Sequence, residues 1–321
     1  MELSREHPFP GLRPFDFRDR EFFFGREKHT YALYRLLDRS RFVAVVGSSG
    51  SGKSSLVRAG LLPLLGQELD EAGQPIWRWV TFHPGDHPMR ALRDALVSLA
   101  ADADLERDVL VTDVETALAT SSFGLSKAVA EIPGLSNRKL LLVVDQFEEL
   151  FRYEGSRDDA IDFVQRLLEA TRSYSSTIHV LITMRSDFIG DCAQFQRLPE
   201  AVSRSQFLVP SLDREQREEV ILKPIALGEA EIEPFLVERL LNDGGAEMDQ
   251  LPVLQHCLLR LWECAGVANL MRRLTEKEYD AIGGIGHALS QHADEIMAEL
   301  GKPLEPAVEA VFRALSETDP D

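Results

Sequence analysis

Apolar residues come along this 321-residue chain in short unbroken runs, separated by longer stretches of helical spacing. Runs at 42–46, 76–82, 139–144 and 178–183, and a shorter one at 206–209, are rich in Val, Ile, Leu, Trp and Phe. Unbroken runs of this length suit strands buried on both faces, as in a parallel sheet covered by helices. Between them the spacing predicts a helix of about eleven residues after position 27, with Tyr31, Leu33, Tyr34 and Leu37 on its apolar side. Further helices are expected at 88–100, opened by Pro88, at 113–131 and at 157–172. Strands alternating with helices imply right-handed crossovers and a three-layer α/β domain around a parallel five-stranded sheet. After Pro210 the alternation stops and only helical spacing remains, clearest at 236–241, 253–262 and 285–300. An all-α second domain is therefore expected beyond a boundary near 208–212.

Before the first strand, residues 7–27 carry three prolines and the closely spaced aromatics Phe15, Phe17, Phe22, Phe23 and Phe24. Such a segment is irregular but too apolar for a free tail, so it should pack onto the domain that follows.

Charge narrows the partners. The chain has 35 Lys+Arg against 53 Asp+Glu, a net −18, and residues 213–249 hold eleven acids against four bases. A surface of that sign repels phosphate backbones, which argues against dedicated nucleic-acid binding. No apolar run approaches the roughly 18 residues a membrane helix needs, and the N-terminus lacks a secretory apolar stretch. Cys192, Cys257 and Cys264 form no Cys-x-x-Cys pair, which fits reduced thiols and a cytoplasmic location. His83 with His87, and His287 with His292, have no zinc-like spacing.

The chemistry concentrates after the first strand. Residues 47–54 read Gly-Ser-Ser-Gly-Ser-Gly-Lys-Ser, the Gly-x-x-x-x-Gly-Lys-Ser of a phosphate-binding loop, with a strand before it and an amphipathic segment, 56–62, after it. Gly47, Gly50 and Gly52 let the backbone curl, so that N–H groups of Ser48, Ser49, Ser51 and the residues up to Ser55 can face a phosphate. Lys53 brings positive charge to the β- and γ-phosphates, Ser54 offers a hydroxyl to Mg²⁺, and the helix start favours the anion. These residues predict binding of a nucleoside triphosphate.

The run at 140–144 delivers Asp145, an acid placed to hold Mg²⁺ as a Walker B residue does. The next position, where many hydrolysing enzymes of this type carry glutamate, is Gln146, which cannot accept a proton. Loss of a positioned base costs about 10²–10⁴-fold, so slow hydrolysis is expected. Glu148 is the candidate base or water-orienting group, with Glu149 behind it; a helix-start acid favoured by the dipole explains either equally well. Arg185, at the tip of the fourth strand, is placed to sense the γ-phosphate and distinguish ATP from ADP, or else to pair with Asp187.

Taken together these residues resemble the STAND class of P-loop ATPases, most of all the bacterial novel STAND group, whose members often precede propeller or other repeats. The resemblance runs through Phe-Pro-Gly-Leu-Arg-Pro-Phe at 9–15, Phe-Phe-Phe-Gly-Arg-Glu at 22–27 and the loop with its sequel to 63. It continues in Asp-Gln-Phe-Glu-Glu-Leu-Phe at 145–151, Thr-Met-Arg-Ser-Asp-Phe at 183–188 and Leu-Pro-Val-Leu-Gln-His-Cys-Leu-Leu-Arg-Leu-Trp at 251–262. It implies an AAA+-like (ASCE) sheet and places Phe24, Gly25 and Arg26 near an adenine. On that basis 1–28 is an N-terminal segment at the adenine site, 29–210 the NTPase domain and 211–300 the helical domain. Residues 301–321, with a helix at 307–315, would begin a winged-helix domain. Pro252 would fall in the helical-domain motif that touches nucleotide, although Gln250 stands where that motif has glycine.

The mechanism so implied is a regulatory switch that binds ATP or ADP with Mg²⁺. ADP would keep the protein closed, and exchange for ATP would open it to form a homo-oligomer with appended or separate sensor and effector proteins. A mechanochemical AAA+ ATPase is the main alternative, but it calls for glutamate at 146. A non-hydrolysing nucleotide-binding scaffold is another, which Gln146 leaves open. A small-molecule kinase fits Asp-Gln-Phe-Glu-Glu poorly.

Overall fold

The computed structural model describes residues 2–100, 107–121, 123–135, 138–152, 157–172, 176–244, 251–268, 271–301 and 304–316. It divides into two compact units, one of Pro14–Gln216, the other of Met1–Arg13 together with Arg217–Asp321. The N-terminal stretch 1–28 is thus shared: 1–13 goes with the C-terminal unit and 14–28 with the sheet.

The larger unit is built on five parallel strands, β1 (Phe42–Gly47), β2 (Trp77–Phe82), β3 (Lys139–Val144), β4 (Ile178–Arg185) and β5 (Gln206–Leu208), in the order β2-β3-β4-β1-β5. Every residue of β1 is buried, as are all of β3 except Lys139 and all of β4 except Arg185. Alternation divides them between two cores. Ala44, Val46, Leu142, Val144 and Ile182 join Leu92, Leu96, Val114, Leu125, Phe163 and Leu167 on one face. Val43, Val45, Leu141, Val143 and Leu181 meet Leu33, Leu37, Leu56, Val57, Leu61 and Leu65 on the other. Helices on both faces of a parallel sheet make the three-layer architecture.

Two helical details differ from the spacing. In Glu27–Arg39, Leu33 and Leu37 are fully buried, but Tyr31 is 59% exposed and stacks on Tyr34 instead. In place of one helix at 113–131 there are two, Arg107–Thr120 and Gly124–Glu131. The corner between them is tight: a Cβ on Gly124 would come within 2.6 Å of the Ala117 and Leu118 carbonyl oxygens. The helix expected at 157–172 forms as Arg157–Arg172, and β4 runs two residues further than its apolar core.

The smaller unit is mainly helical, with Pro234–Asp243, Leu251–Cys264, Glu276–Ala281, Gly284–Leu300 and Glu305–Ser316. It also holds a small sheet that apolar spacing did not reveal, β6 (Glu231–Ile232), β7 (Val267–Ala268) and β8 (Met271–Leu274), in the order β6-β8-β7. Pieces of two to four residues are too short for alternation to register. The N-terminal segment contributes to its core: Phe9 packs edge-on to Trp262 at 5.9 Å, and the Trp262 indole N–H donates to the Glu6 carbonyl at 2.6 Å. Among the described residues no helix is long and apolar enough to cross a membrane.

Candidate functional site

Parallel register brings the C-terminal tips of three central strands to one edge. Gly47 lies opposite Arg185 and Val144 opposite Ile182, so the residues after β1 and β3 flank the end of β4. Ligands of open α/β sheets bind at such carboxyl ends. The loop from Gly47 turns sharply there, with Gly50 at φ 72° and Gly52 at φ 87°. The second angle immediately precedes the helix, and any L side chain would be strained in it. Lys53 folds back over the loop, its ammonium donating to the Gly47 carbonyl at 3.0 Å and the Ser48 carbonyl at 2.7 Å. Burial holds the Lys53 pKa below its usual value, against the opposing pull of Glu148 and Asp145. The hydroxyls of Ser48 and Ser51 are buried without a partner among the described residues, while Ser49 is exposed.

The helix that follows is not amphipathic. Turns Lys53–Ser55 and Leu62–Leu65 are α-helical, and Leu56–Leu61 between them is π-helical. Leu56, Val57, Ala59, Gly60, Leu61, Leu62 and Leu65 are all buried, leaving Arg58 and Leu64 as its partly exposed positions in that span. Gly60 is needed for packing, since a Cβ there would lie 2.6 Å from Thr30 Oγ1 and 3.2 Å from the Phe23 ring.

Asp145 is 1% exposed and gathers donors from three elements. Ser54 donates its hydroxyl to Oδ1 at 2.8 Å, Thr183 donates its hydroxyl to the same oxygen, and Arg58 donates to Oδ2 at 2.7 Å. The chain then turns at Gln146, whose φ of 56° is left-handed and whose N–H donates to Thr183 Oγ1 at 3.0 Å. Thr183 and Arg58 are the residues that sequence reasoning missed. Arg58 had a signal, standing four positions after Ser54 and so on the same helix face.

The two glutamates have different surroundings. Glu148 is 8% exposed, exerts a favourable charge on Lys53, and accepts from the Arg185 backbone N–H at 3.4 Å. Glu149 turns outward, accepting from the Gly85 N–H at 3.0 Å and lying 3.8 Å from His83. The Arg185 guanidinium pairs with Asp187 and lies over the Phe188 ring at 5.7 Å, while its Nε is buried without a partner among the described residues. It is close enough to depress the Lys53 pKa.

The N-terminal segment reaches the loop through Phe15 and Arg26. Phe15 donates its N–H to Ser55 Oγ at 3.1 Å, which turns that hydroxyl toward the segment. Arg26, 4% exposed, donates to the Ser51 carbonyl at 3.0 Å, to the Pro210 carbonyl at 2.6 Å and to His29 Nδ1 at 3.2 Å. Burial among these acceptors lowers its pKa to about 10. Gly25 just before it takes φ 76°, and Phe24 is partly buried. Pro252 lies in the first turn of Leu251–Cys264 in the smaller unit, and Gln250 falls outside the described residues.

This donor set suits a hard divalent cation. Ser54 Oγ and Asp145 Oδ1, both oxygen, are already 2.8 Å apart beside the phosphate loop, and Mg²⁺ is held through one or two such groups plus phosphate oxygens.

Comparison with solved structures places the fold among P-loop ATPases. The ORC2 protein of Aeropyrum pernix aligns with a TM-score of 0.54 at 14% identity, covering 83% of this chain and 68% of that one. A Walker-type ATPase of Pyrococcus abyssi gives 0.52 at 16% identity, covering 95% and 79%. The Aeropyrum pernix ORC1 protein solved with DNA gives 0.51 at 13%, covering 87% and 69%. No curated protein matches the chain. The sequence profile of the novel STAND NTPase 1 family matches residues 8–321, nearly the full length. With a phosphate loop after β1, an acid at the tip of β3 and this match, the chain belongs to the novel STAND NTPase 1 family of nucleotide-binding P-loop proteins.

Proposed function

We propose that the protein is an adenine-nucleotide switch, closed with ADP and opened by ATP into a homo-oligomer, with slow Mg²⁺-dependent hydrolysis. The observation that carries this reading is the residue after Asp145. Gln146 occupies it in a left-handed turn locked to Thr183, and glutamine cannot take a proton from water. Glu148, buried beside Lys53, is the remaining candidate to orient water. Lys53 would hold the β- and γ-phosphates, and Ser54 and Asp145 the metal, which supplies charge neutralisation for the phosphates. Arg185 would exchange Asp187 for a γ-phosphate, a charge-assisted contact that ADP cannot make.

ADPNP and ADP in the similarly folded Aeropyrum pernix ORC2 protein fit adenine nucleotide as the ligand. The DNA of the ORC1 complex is not carried over, because a chain of net charge −18 repels phosphate backbones. A nucleotide shifts an equilibrium only through different affinities for its two states. Sensor and effector proteins, appended or separate, would supply the signal and read the open form.

The test is to identify the nucleotide carried through purification and to measure mass in solution after replacing ADP by ATP. Retained ADP and ATP-driven assembly are expected. Turnover at tens per second, near the middle of ordinary enzyme rates, with no change in mass, would sink the switch and favour the motor.

A further inference from the structure

We propose that Arg58 is the chain's own counter-ion for Asp145 and competes with the divalent cation for that carboxylate, so that it sets how much Mg²⁺ the nucleotide site requires. The inference rests on the reading of Ser54 and Asp145 as the metal-side residues. It begins from the burial of the acid. The Asp145 side chain is 2% exposed, against 21% for Arg58, and a buried carboxylate is costly unless a cation or hydrogen bonds satisfy it. Its two oxygens are treated differently. Oδ1 takes two hydroxyls, from Ser54 and Thr183, while Oδ2 takes the guanidinium nitrogen at 2.7 Å.

That division decides what a metal can share. A hydroxyl carries lone pairs and can turn them to a metal while staying in place. A guanidinium has no acceptor and carries a positive charge, so it bars a cation from Oδ2 and repels one held at Oδ1 beside Ser54. Displacement is made easier by how Arg58 is held. One nitrogen meets the acid, where the strong arginine–carboxylate geometry uses two. Its Nε is buried and has no partner among the described residues. The same nitrogen that meets Asp145 also lies 3.5 Å from His83 Nε2. His83 is partnered in turn by Glu149, 3.8 Å away, so a released Arg58 has an anion within its neighbourhood. Arg58 stands on the π-helical stretch four residues after Ser54, which puts charge and hydroxyl on the same side of the acid.

The pair therefore acts as an internal substitute for the metal, and nucleotide binding and metal binding become separable events. Without it, Asp145 would be a buried charge in metal-free protein. With it, Mg²⁺ must outcompete a tethered cation, which raises the concentration required.

The full chain can be titrated with Mn²⁺, reading the free ion by electron paramagnetic resonance, with and without saturating ADP. Arg58→Gln is expected to bind Mn²⁺ about tenfold more tightly than the natural protein, within the usual range of coupling between two ligands. Arg58→Lys keeps the charge and is expected to stay closer to the natural protein. Asp145→Asn should lose this Mn²⁺ site with or without Arg58. Equal or weaker Mn²⁺ binding by Arg58→Gln, with the natural protein binding through Asp145, overturns the inference and leaves the metal reading intact. If the natural protein binds no Mn²⁺ and Asp145→Asn changes nothing, the metal reading itself fails and the inference falls with it. A second measurement needs no destabilising variant. The Arg58 Nε–H resonance of the natural protein, assigned with Arg58→Lys, should shift as Mg²⁺ is added at saturating ADP. A resonance that stays put while metal binds overturns the proposal.

Discussion

Replacing Arg26 with alanine should loosen the phosphate loop from behind. Arg26 ties the Ser51 carbonyl, inside the loop, to the Pro210 carbonyl beyond β5, at 3.0 and 2.6 Å. Hydrogen bonds to a charged partner contribute about 1.5–3 kcal/mol each. Two of them, less the cost of burying a guanidinium whose pKa is drawn down to about 10, leave a net loss of about 2–4 kcal/mol in Arg26→Ala. For a unit of this size each kcal/mol moves Tm by roughly 2–4 °C, so a fall of roughly 4–16 °C is expected. Thermal unfolding of the full chain measures the shift, and hydrogen exchange at the Ser51 to Lys53 amides should speed up with it. Arg26→Lys should rescue little, because a single ammonium lacks the fork that spans two carbonyls. Arg26→Ala with Tm within about 2 °C of the natural protein, and unchanged exchange in the loop, would refute this account.

Three further outcomes are expected. Lys53→Ala should abolish nucleotide retention through purification, and isothermal titration showing undiminished binding would undo the site. Arg185→Ala should weaken an ATP analogue by about tenfold more than ADP, and equal losses for both would remove its sensing role. Burial first, then the charges of Lys139 and Arg41, push the His179 pKa down to about 4. The unfolded chain then binds more protons than the folded one between pH 6.5 and 4. Its contribution is fully present above the unfolded pKa and is lost as pH falls through that window, to about 3 kcal/mol. His179→Phe, which keeps a ring against Trp77, should flatten the acid limb of a urea-midpoint profile; parallel profiles would exclude His179 as a cause.

The sheet was legible because its strands are buried on both faces and so are spelled in continuous apolar residues, as at Val43 to Val46 and Leu140 to Val144. The loop was legible because a left-handed turn before a helix requires glycine at 52, and phosphate chemistry requires Lys53 beside it. Tyr31 misled because helical spacing cannot separate a ring packed inward from one stacked on a neighbour at the surface. The division into Arg107–Thr120 and Gly124–Glu131 was hidden because it goes with the close approach of Gly124 to the Ala117 and Leu118 carbonyls, which apolar spacing does not register. Arg26 and Arg58 carry contacts settled only by tertiary structure: one reaches backbone carbonyls at 51 and 210, the other an acid 87 positions along the chain. A guanidinium in sequence does not announce which of those it will find.

The assignment of Met1–Arg13 to the C-terminal unit has a consequence for synthesis. The Trp262 indole N–H donates to the Glu6 carbonyl across 256 positions, and Phe9 packs on the same ring. At about 5–20 residues per second, the first segment waits on the order of 10–50 s for its partner to be made. During that interval the whole sheet unit can be completed, so the ribosome delivers a finished P-loop domain whose leading end is still unclaimed. Closing the terminal unit is then a late, long-range step of the kind that slows folding. An amino-terminal deletion of a dozen residues should therefore harm the last hundred residues of the chain more than the nucleotide loop next to it in sequence.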